Sequence, residues 1–117
     1  MTEPCVILRK WTGRIRTAER QDYVNYVVET GADEYEKTAG NLGYQILLRD
    51  LGDGTTEVTT LSWWRSMDAI RAFAGAEPEV ARYYPQDDQY LLDRPRCVEH
   101  HMVMTSRITV DLGRAAR

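Results

Sequence analysis

Two adjacent histidines, His100 and His101, are the side chains best poised for proton transfer near neutral pH. They fall in a segment that reads as a strand, so they point to opposite faces and only one can reach a pocket between sheet and helices. For the same reason they cannot hold one metal ion together. No cysteine or carboxylate stands nearby at ligand spacing, so no metal site is expected. Either histidine, taken alone, fits a structural hydrogen-bonding role equally well.

Aromatic residues are the second resource. Trp11, Trp63 and Trp64 are joined by seven tyrosines. Such side chains combine a large apolar surface with a polar tip, which suits a pocket for planar phenolic molecules. Trp64 stands where a strand hands over to a helix, and Tyr84 precedes a proline in an irregular segment, a favoured setting for function. With Trp11 and Phe73 they are the candidates for holding a ring. Tyr23, Tyr26 and Tyr35 fall on the first helix and read as packing residues. Asp87 and Asp88 could do acid/base work if one were buried, but adjacent aspartates in a polar connection read as solvated or capping residues. Arg9 and Arg49 lie within strands and could face an acidic substrate or a developing oxyanion, with salt bridges as the simpler explanation. There is no Gly-rich phosphate loop, GxSxG, HExxH or CxxC, so hydrolase, kinase and nicotinamide-dependent chemistries have no support.

The elements that must position these residues follow from pattern. Val6 to Arg16 alternates as a strand, and Thr17 is placed to cap the helix after it. In that helix Val24, Val27, Val28, Ala32 and Tyr35 form an apolar stripe, interrupted at Gly31. Gly40 to Gly43 is turn chemistry before a strand from Tyr44 to Arg49, and Gly52-Asp53-Gly54 marks a hairpin into a strand from Glu57 to Trp64. Ser66 caps a helix that carries Ala69, Ile70, Phe73 and Ala74 inward and stops at Gly75. Pro78 opens a short helical turn that Pro85 ends. Arg96 to Ile108 is a long last strand. The order is that of a ferredoxin-like βαββαβ fold of the α+β class, with a four-stranded antiparallel sheet.

With 117 residues, 43% of them apolar and 28% charged, the chain fits one globular domain over its whole length, 1–117. Its 15 basic and 18 acidic residues are interspersed, so it lacks the concentrated basic face of a nucleic-acid binder. No apolar stretch is long enough to span a membrane, and Met1-Thr2-Glu3-Pro4 lacks the start of a secretion signal. A cytoplasmic protein is expected. Cys5 and Cys97 would begin two antiparallel neighbouring strands and lie roughly 30 Å apart, too far for a bridge.

The strands are apolar on both faces: Ile7, Trp11 and Ile15 against Val6 and Leu8; Tyr44, Ile46 and Leu48 against Leu47; Trp63 and Leu61 against Val58 and Trp64; Val98, Met102 and Met104 against Cys97 and Val103. Two helices can cover only one face. The apolar remainder points to a homodimer in which a second copy covers it.

Leu61-Ser62-Trp63-Trp64-Arg65-Ser66 running into Ala69-Ile70-Arg71-Ala72-Phe73-Ala74-Gly75 is the most distinctive stretch. With it stand Trp11-Thr12-Gly13-Arg14, Gly40-Asn41-Leu42-Gly43, Tyr83-Tyr84-Pro85, Asp87-Asp88, Tyr90-Leu91-Leu92 and Val98-Glu99-His100-His101. Together these resemble the antibiotic biosynthesis monooxygenase-like family of dimeric α+β barrels, over roughly Val6 to Met104. The resemblance implies sheets paired into a barrel and a small apolar or aromatic ligand between sheet and helices. It also implies a cofactor-free oxygenation of phenolic or polyketide-type molecules, with His100, from the Glu-His pattern, as the catalytic residue. Haem-degrading relatives use an Asn on the first strand and an iron-binding His on the helix after the third. Val6 to Thr17 contains no Asn and Met67 to Leu92 no His, so haem is disfavoured and no cofactor is expected. A non-oxidative isomerase or cyclase, or a ligand carrier, could use the same pocket.

Overall fold

A computed structural model describes residues 6–112, so Cys5 lies outside the described residues. Four strands form one antiparallel sheet in the order β2-β3-β1-β4: β1 (Ile7–Arg16), β2 (Asn41–Asp50), β3 (Thr55–Trp64) and β4 (Glu99–Met102). The helices are α1 (Arg20–Val27), α2 (Asp33–Lys37) and α3 (Met67–Ala74). This is the ferredoxin-like α+β arrangement, a split βαβ unit with β3 inserted between β1 and β2.

Strand parity decides which side chains meet. In β3, Thr56, Val58, Thr60, Ser62 and Trp64 are buried while their neighbours are half-exposed. Across the ladder Ile15, Gly13, Trp11, Arg9 and Ile7 of β1 pair with those five residues in turn, so they share the covered face. His100 pairs with Arg9 and His101 with Leu8, which puts the two histidines on opposite faces, as strand alternation requires. The open face carries Leu8, Leu47, Leu61 and Trp63 among Lys10, Thr12, Arg14, Glu57 and Thr59.

Turn chemistry performs as the residue types dictate. The β2–β3 hairpin turns on Gly52 and Gly54, whose positive φ values of 84° and 86° only glycine adopts without strain. The Ser66 hydroxyl accepts the Ala69 N–H at 3.1 Å and caps α3, and Gly75, at φ 95°, ends it.

Five local expectations are corrected. Thr17 does not cap the first helix: Arg16 holds the position before the 3-10 turn Thr17–Glu19, and the Thr17 hydroxyl bonds that of Thr56 at 2.8 Å. The inward stripe of the first helix is Tyr23, Val27, Ala32 and Tyr35, with Val24 and Val28 at its margin. Its phase shifts because Val28–Ala32 forms a π-turn that joins α1 to α2. Pro78 opens a single turn, closed by the Val80 N–H on the Glu77 carbonyl at 3.1 Å, but no helix follows: Ala81 N–H bonds the Arg96 carbonyl at 2.8 Å and Val98 N–H that of Glu79 at 2.8 Å, which holds the chain extended from Val80. Pro85, rather than ending a helix, opens the 3-10 turn Pro85–Gln89, where its fixed φ suits the first position. Finally, the last strand is shorter than Arg96 to Ile108. It pairs with β1 only from Ile7 to Lys10, so the ladder stops at Met102; Met104, Ile108, Val110 and Leu112 are exposed beyond it.

The interior divides into two clusters. One gathers Ile15, Tyr23, Val27, Val58 and Leu91. The other, under α3, gathers Ala32, Tyr35, Trp64, Ile70 and Phe73. The π-turn lies between the stretches of the first helix that feed them.

Candidate functional site

A cavity of about 70 Å³ occupies the seam between the clusters. Its floor is Arg9, Trp11 and Thr60 on the sheet; its roof is the first helix, from Tyr23 to Tyr35, including Thr30 and Gly31 of the π-turn. α3 supplies Phe73, and the connection from α3 to β4 supplies the rest, notably Arg82, Tyr83, Tyr84 and Asp87. Such π-turns recur at functional sites, where the widened turn re-aims side chains.

Trp11 is held by a specific device. Its indole lies over Gly13, two residues on along the same face, and a Cβ at position 13 would come within 2.4 Å of the ring. Its Nε1–H donates to the Tyr83 hydroxyl at 3.1 Å, and that hydroxyl donates to the Pro95 carbonyl. The ring thus forms a fixed wall.

Polar groups in the wall fall into satisfied and unsatisfied sets. The hydroxyls of Tyr26 and Tyr84 are buried and make no well-formed hydrogen bond. Burial raises the pKa of both, reinforced by weak, poorly aligned hydrogen bonding to Asp87 at Tyr26 and to Glu34 at Tyr84. Tyr35 is also pushed up by burial. All three therefore stay protonated at neutral pH and can donate to an oxyanion, but cannot act as phenolate bases. Asp87 is buried; its carboxylate accepts the Tyr84 N–H at 2.6 Å, while Asp88 stays outside and pairs with Arg94 at 2.5 Å.

Arg9 is 5% exposed. Its Nη1 donates to the Pro78 carbonyl and to His100 Nε2 at 3.1 Å, and Nη2 to the Val80 carbonyl at 3.4 Å. Because arginine only donates, His100 Nε2 must be the acceptor, which leaves the ring proton on Nδ1. Burial and then the Arg9 charge hold the His100 pKa below 6.5, so the imidazole is neutral at pH 7. Arg49, by contrast, is an exposed strand residue 4.0 Å from Glu57.

Of the residues singled out in the sequence, Trp11, Phe73 and Tyr84 border the cavity. His100 does not; it stands behind Arg9. Trp64 does not either: it is fully buried, its indole N–H bonds the Ser62 hydroxyl at 2.8 Å, and it packs on Phe73 with ring centroids 5.4 Å apart. His101 lies on the open face, 3.0 Å from Glu99. Tyr26, Tyr35, Asp87 and Arg9 are wall residues that the sequence reading passed over or explained by packing or pairing. Arg9 had a visible signal, its inward parity between Ile7 and Trp11. Among the described residues no cluster of three potential metal ligands forms, and no helix is long and apolar enough to cross a membrane.

No family model matches the sequence, and no curated protein does either. Solved structures do. A Bacillus cereus protein described as a candidate antibiotic biosynthesis monooxygenase superposes with a TM-score of 0.59 at 19% identity, over 92% of this chain and 100% of its own. A haem-degrading protein from Mycobacterium tuberculosis gives 0.56 at 15%, over 92% and 100%. SnoaB, a cofactor-independent oxygenase from Streptomyces nogalater, gives 0.51 at 17%, over 92% and 98%. The fold is thus the one that antibiotic biosynthesis monooxygenases share with a haem-degrading protein. At these identities it is the fold, and not an activity, that is held in common.

Proposed function

We propose that the chain is a cytoplasmic, cofactor-independent oxygenase for a small flat phenol or enol of the polyketide type, acting as a homodimer. The observation that carries this is the aromatic-walled cavity lined by Tyr26 and Tyr84, whose buried hydroxyls have only the poorly aligned carboxylates of Asp87 and Glu34 beside them. Buried hydroxyls are almost always well bonded, so two poorly satisfied ones, one on the first helix and one on the connection, suit a ligand oxygen that completes them. The similarity to SnoaB, itself a cofactor-independent oxygenase, supports the same reading.

In this scheme Asp87 takes a proton from a methylene that two rings activate. The resulting carbanion passes one electron to dioxygen, the radical pair combines at carbon, and the hydroperoxide sheds water. The sum is CH₂ + O₂ → C=O + H₂O. Tyr26 and Tyr84 donate to the substrate oxygen on which charge accumulates, and Trp11 and Phe73 flank the ring. The preformed space holds about two waters, so binding a ring requires the wall to widen. Oxygen uptake with an anthrone substrate tests the proposal. A rate no greater than in buffer sinks it, as would an unchanged rate in Asp87→Asn and Tyr84→Phe.

Dimerisation has its own support in Leu8, Leu47, Leu61 and Trp63, on the sheet face opposite the two core clusters. The exposed Met104, Ile108, Val110 and Leu112 on the segment past β4 add to it. Light scattering at micromolar concentration should give twice the 13.5 kDa chain mass; a monomer mass removes the barrel. The haem reading has weaker footing, since His100 Nε2 is taken by Arg9 and His101 is on the open face. Titration with hemin should leave the Soret band unshifted. A ligand that co-purifies while no oxygen is consumed would favour a carrier or a non-oxidative isomerase over the oxygenase.

A further inference from the structure

Arg9 is a buried cation that makes no ion pair among the described residues. Its hydrogen-bond partners are two backbone carbonyls and a neutral imidazole; Glu79 is the carboxylate whose charge reaches it, and among the described residues neither it nor any other carboxylate lies within ion-pairing distance. The other arginine in the cavity wall, Arg82, is neutralised by Glu34 at 2.8 Å. Asp87, the carboxylate in the same wall, is engaged by the Tyr84 N–H and makes no ion pair with Arg9. Burying a charge is tolerated when it is paired, so a lone guanidinium beside a cavity points to a partner that arrives with the ligand.

The donor inventory says which kind of partner. A guanidinium has five N–H donors. Both on Nη1 are used and one on Nη2 makes a long bond; Nε–H has no acceptor among the described residues. Nε and Nη2 share one edge of the guanidinium, and that edge matches the two oxygens of a carboxylate. The Phe73 ring, 5.8 Å from the Arg9 guanidinium carbon, offers an aromatic face next to it.

We infer that the cavity takes an aromatic carboxylate, with Arg9 binding the acid group as the residue that sets specificity for an anionic ligand and His100 positioning the guanidinium from behind. This rests on reading the cavity as a ligand site. It adds a charge requirement that oxygenation of a neutral phenol would not impose.

Calorimetric titration of the intact protein with 2-naphthoate and with its neutral isostere 2-naphthamide tests it. The acid should bind about tenfold or more tightly than the amide, since a hydrogen-bonded charge contributes more than a neutral pair. Arg9→Gln should bring the two within about twofold, whereas Arg82→Gln, which removes a cation already paired, should keep the preference. Equal affinities in the wild type overturn the inference and leave the cavity as a neutral aromatic site; this comparison needs no variant to fold. A preference that survives Arg9→Gln and vanishes in Arg82→Gln overturns the role of Arg9. Binding of neither compound overturns both this inference and the aromatic pocket beneath it.

Discussion

The region under α3 and the seam beside it are built from similar residues and behave differently. Under α3, Trp64 is sealed, its only polar atom satisfied by Ser62 two residues away, and Ile70 is equally inaccessible. In the seam, two tyrosine hydroxyls make no well-formed hydrogen bond and an arginine makes no ion pair among the described residues. Close-packed cores normally pair every buried polar group. One region therefore reads as a structural anchor and the other as a place where stability was given up for binding. Burial alone would have ranked Trp64 above Tyr84 as a site residue; polar satisfaction reverses the order.

Substitutions can break this contrast. The largest effect is expected for Trp64→Ala, about 3–5 kcal/mol of lost stability by urea denaturation. A loss under 1 kcal/mol would mean that Trp64 is not an anchor. Next is Gly13→Val, which forces the Trp11 indole off its seat. The expected cost is about 1–3 kcal/mol, together with a shift in tryptophan emission as the ring leaves the wall.

Smaller still is Tyr84→Phe. Removing a buried hydroxyl that makes no well-formed bond should be neutral or stabilising within about 1 kcal/mol while lowering turnover or ligand affinity. A clear destabilisation would show that the hydroxyl is well bonded after all. Tyr26→Phe should behave in the same way.

The smallest effect is a pH dependence. His100 has its pKa lowered in the folded chain, so as pH falls below about 6.5 the unfolded chain takes up the proton first and stability declines. The decline ends once pH passes below the folded value. His100→Gln keeps an acceptor for Arg9 but cannot titrate. Between pH 7.5 and 5.5 its urea midpoint should fall less than that of the wild type. The lowered carboxylates Asp50, Asp53, Asp93 and Glu99 lose their contribution at more acidic pH and do so in both proteins. Parallel declines would place the His100–Arg9 contact outside the energetics.

Much of the frame was legible because its signals are local. The Gly52–Gly54 hairpin, the Ser66 cap and the Gly75 stop each depend on residues within a few positions, and alternation along β1 and β3 assigned their two faces correctly. The connection after α3 was misread because its conformation is set at long range: Glu79 to Ala81 pair with Arg96 to Val98, and this overrides the helical start that Pro78 suggests. The wall residues of the first helix were hidden for another reason. A regular 3.6-residue period carried Val24 and Val28 into the stripe and left Tyr23 as mere packing, whereas the π-turn shifts the phase. Arg9 was legible by parity, but a charged residue in a strand invites a salt-bridge explanation, and here the bridge is missing.

That widened turn has a further consequence. Val27 and Ala32 are five positions apart, yet both are buried, one in each cluster; an unbroken α-helix would instead have aimed Gly31 inward. The extra residue acts as a phase correction that lets one continuous helix serve two separately spaced patches. Shortening the segment by one residue at Gly31 would rotate everything after it by about 100°. It would turn Tyr35 away from Phe73 and leave β2, the next element, to start from the wrong side of the sheet.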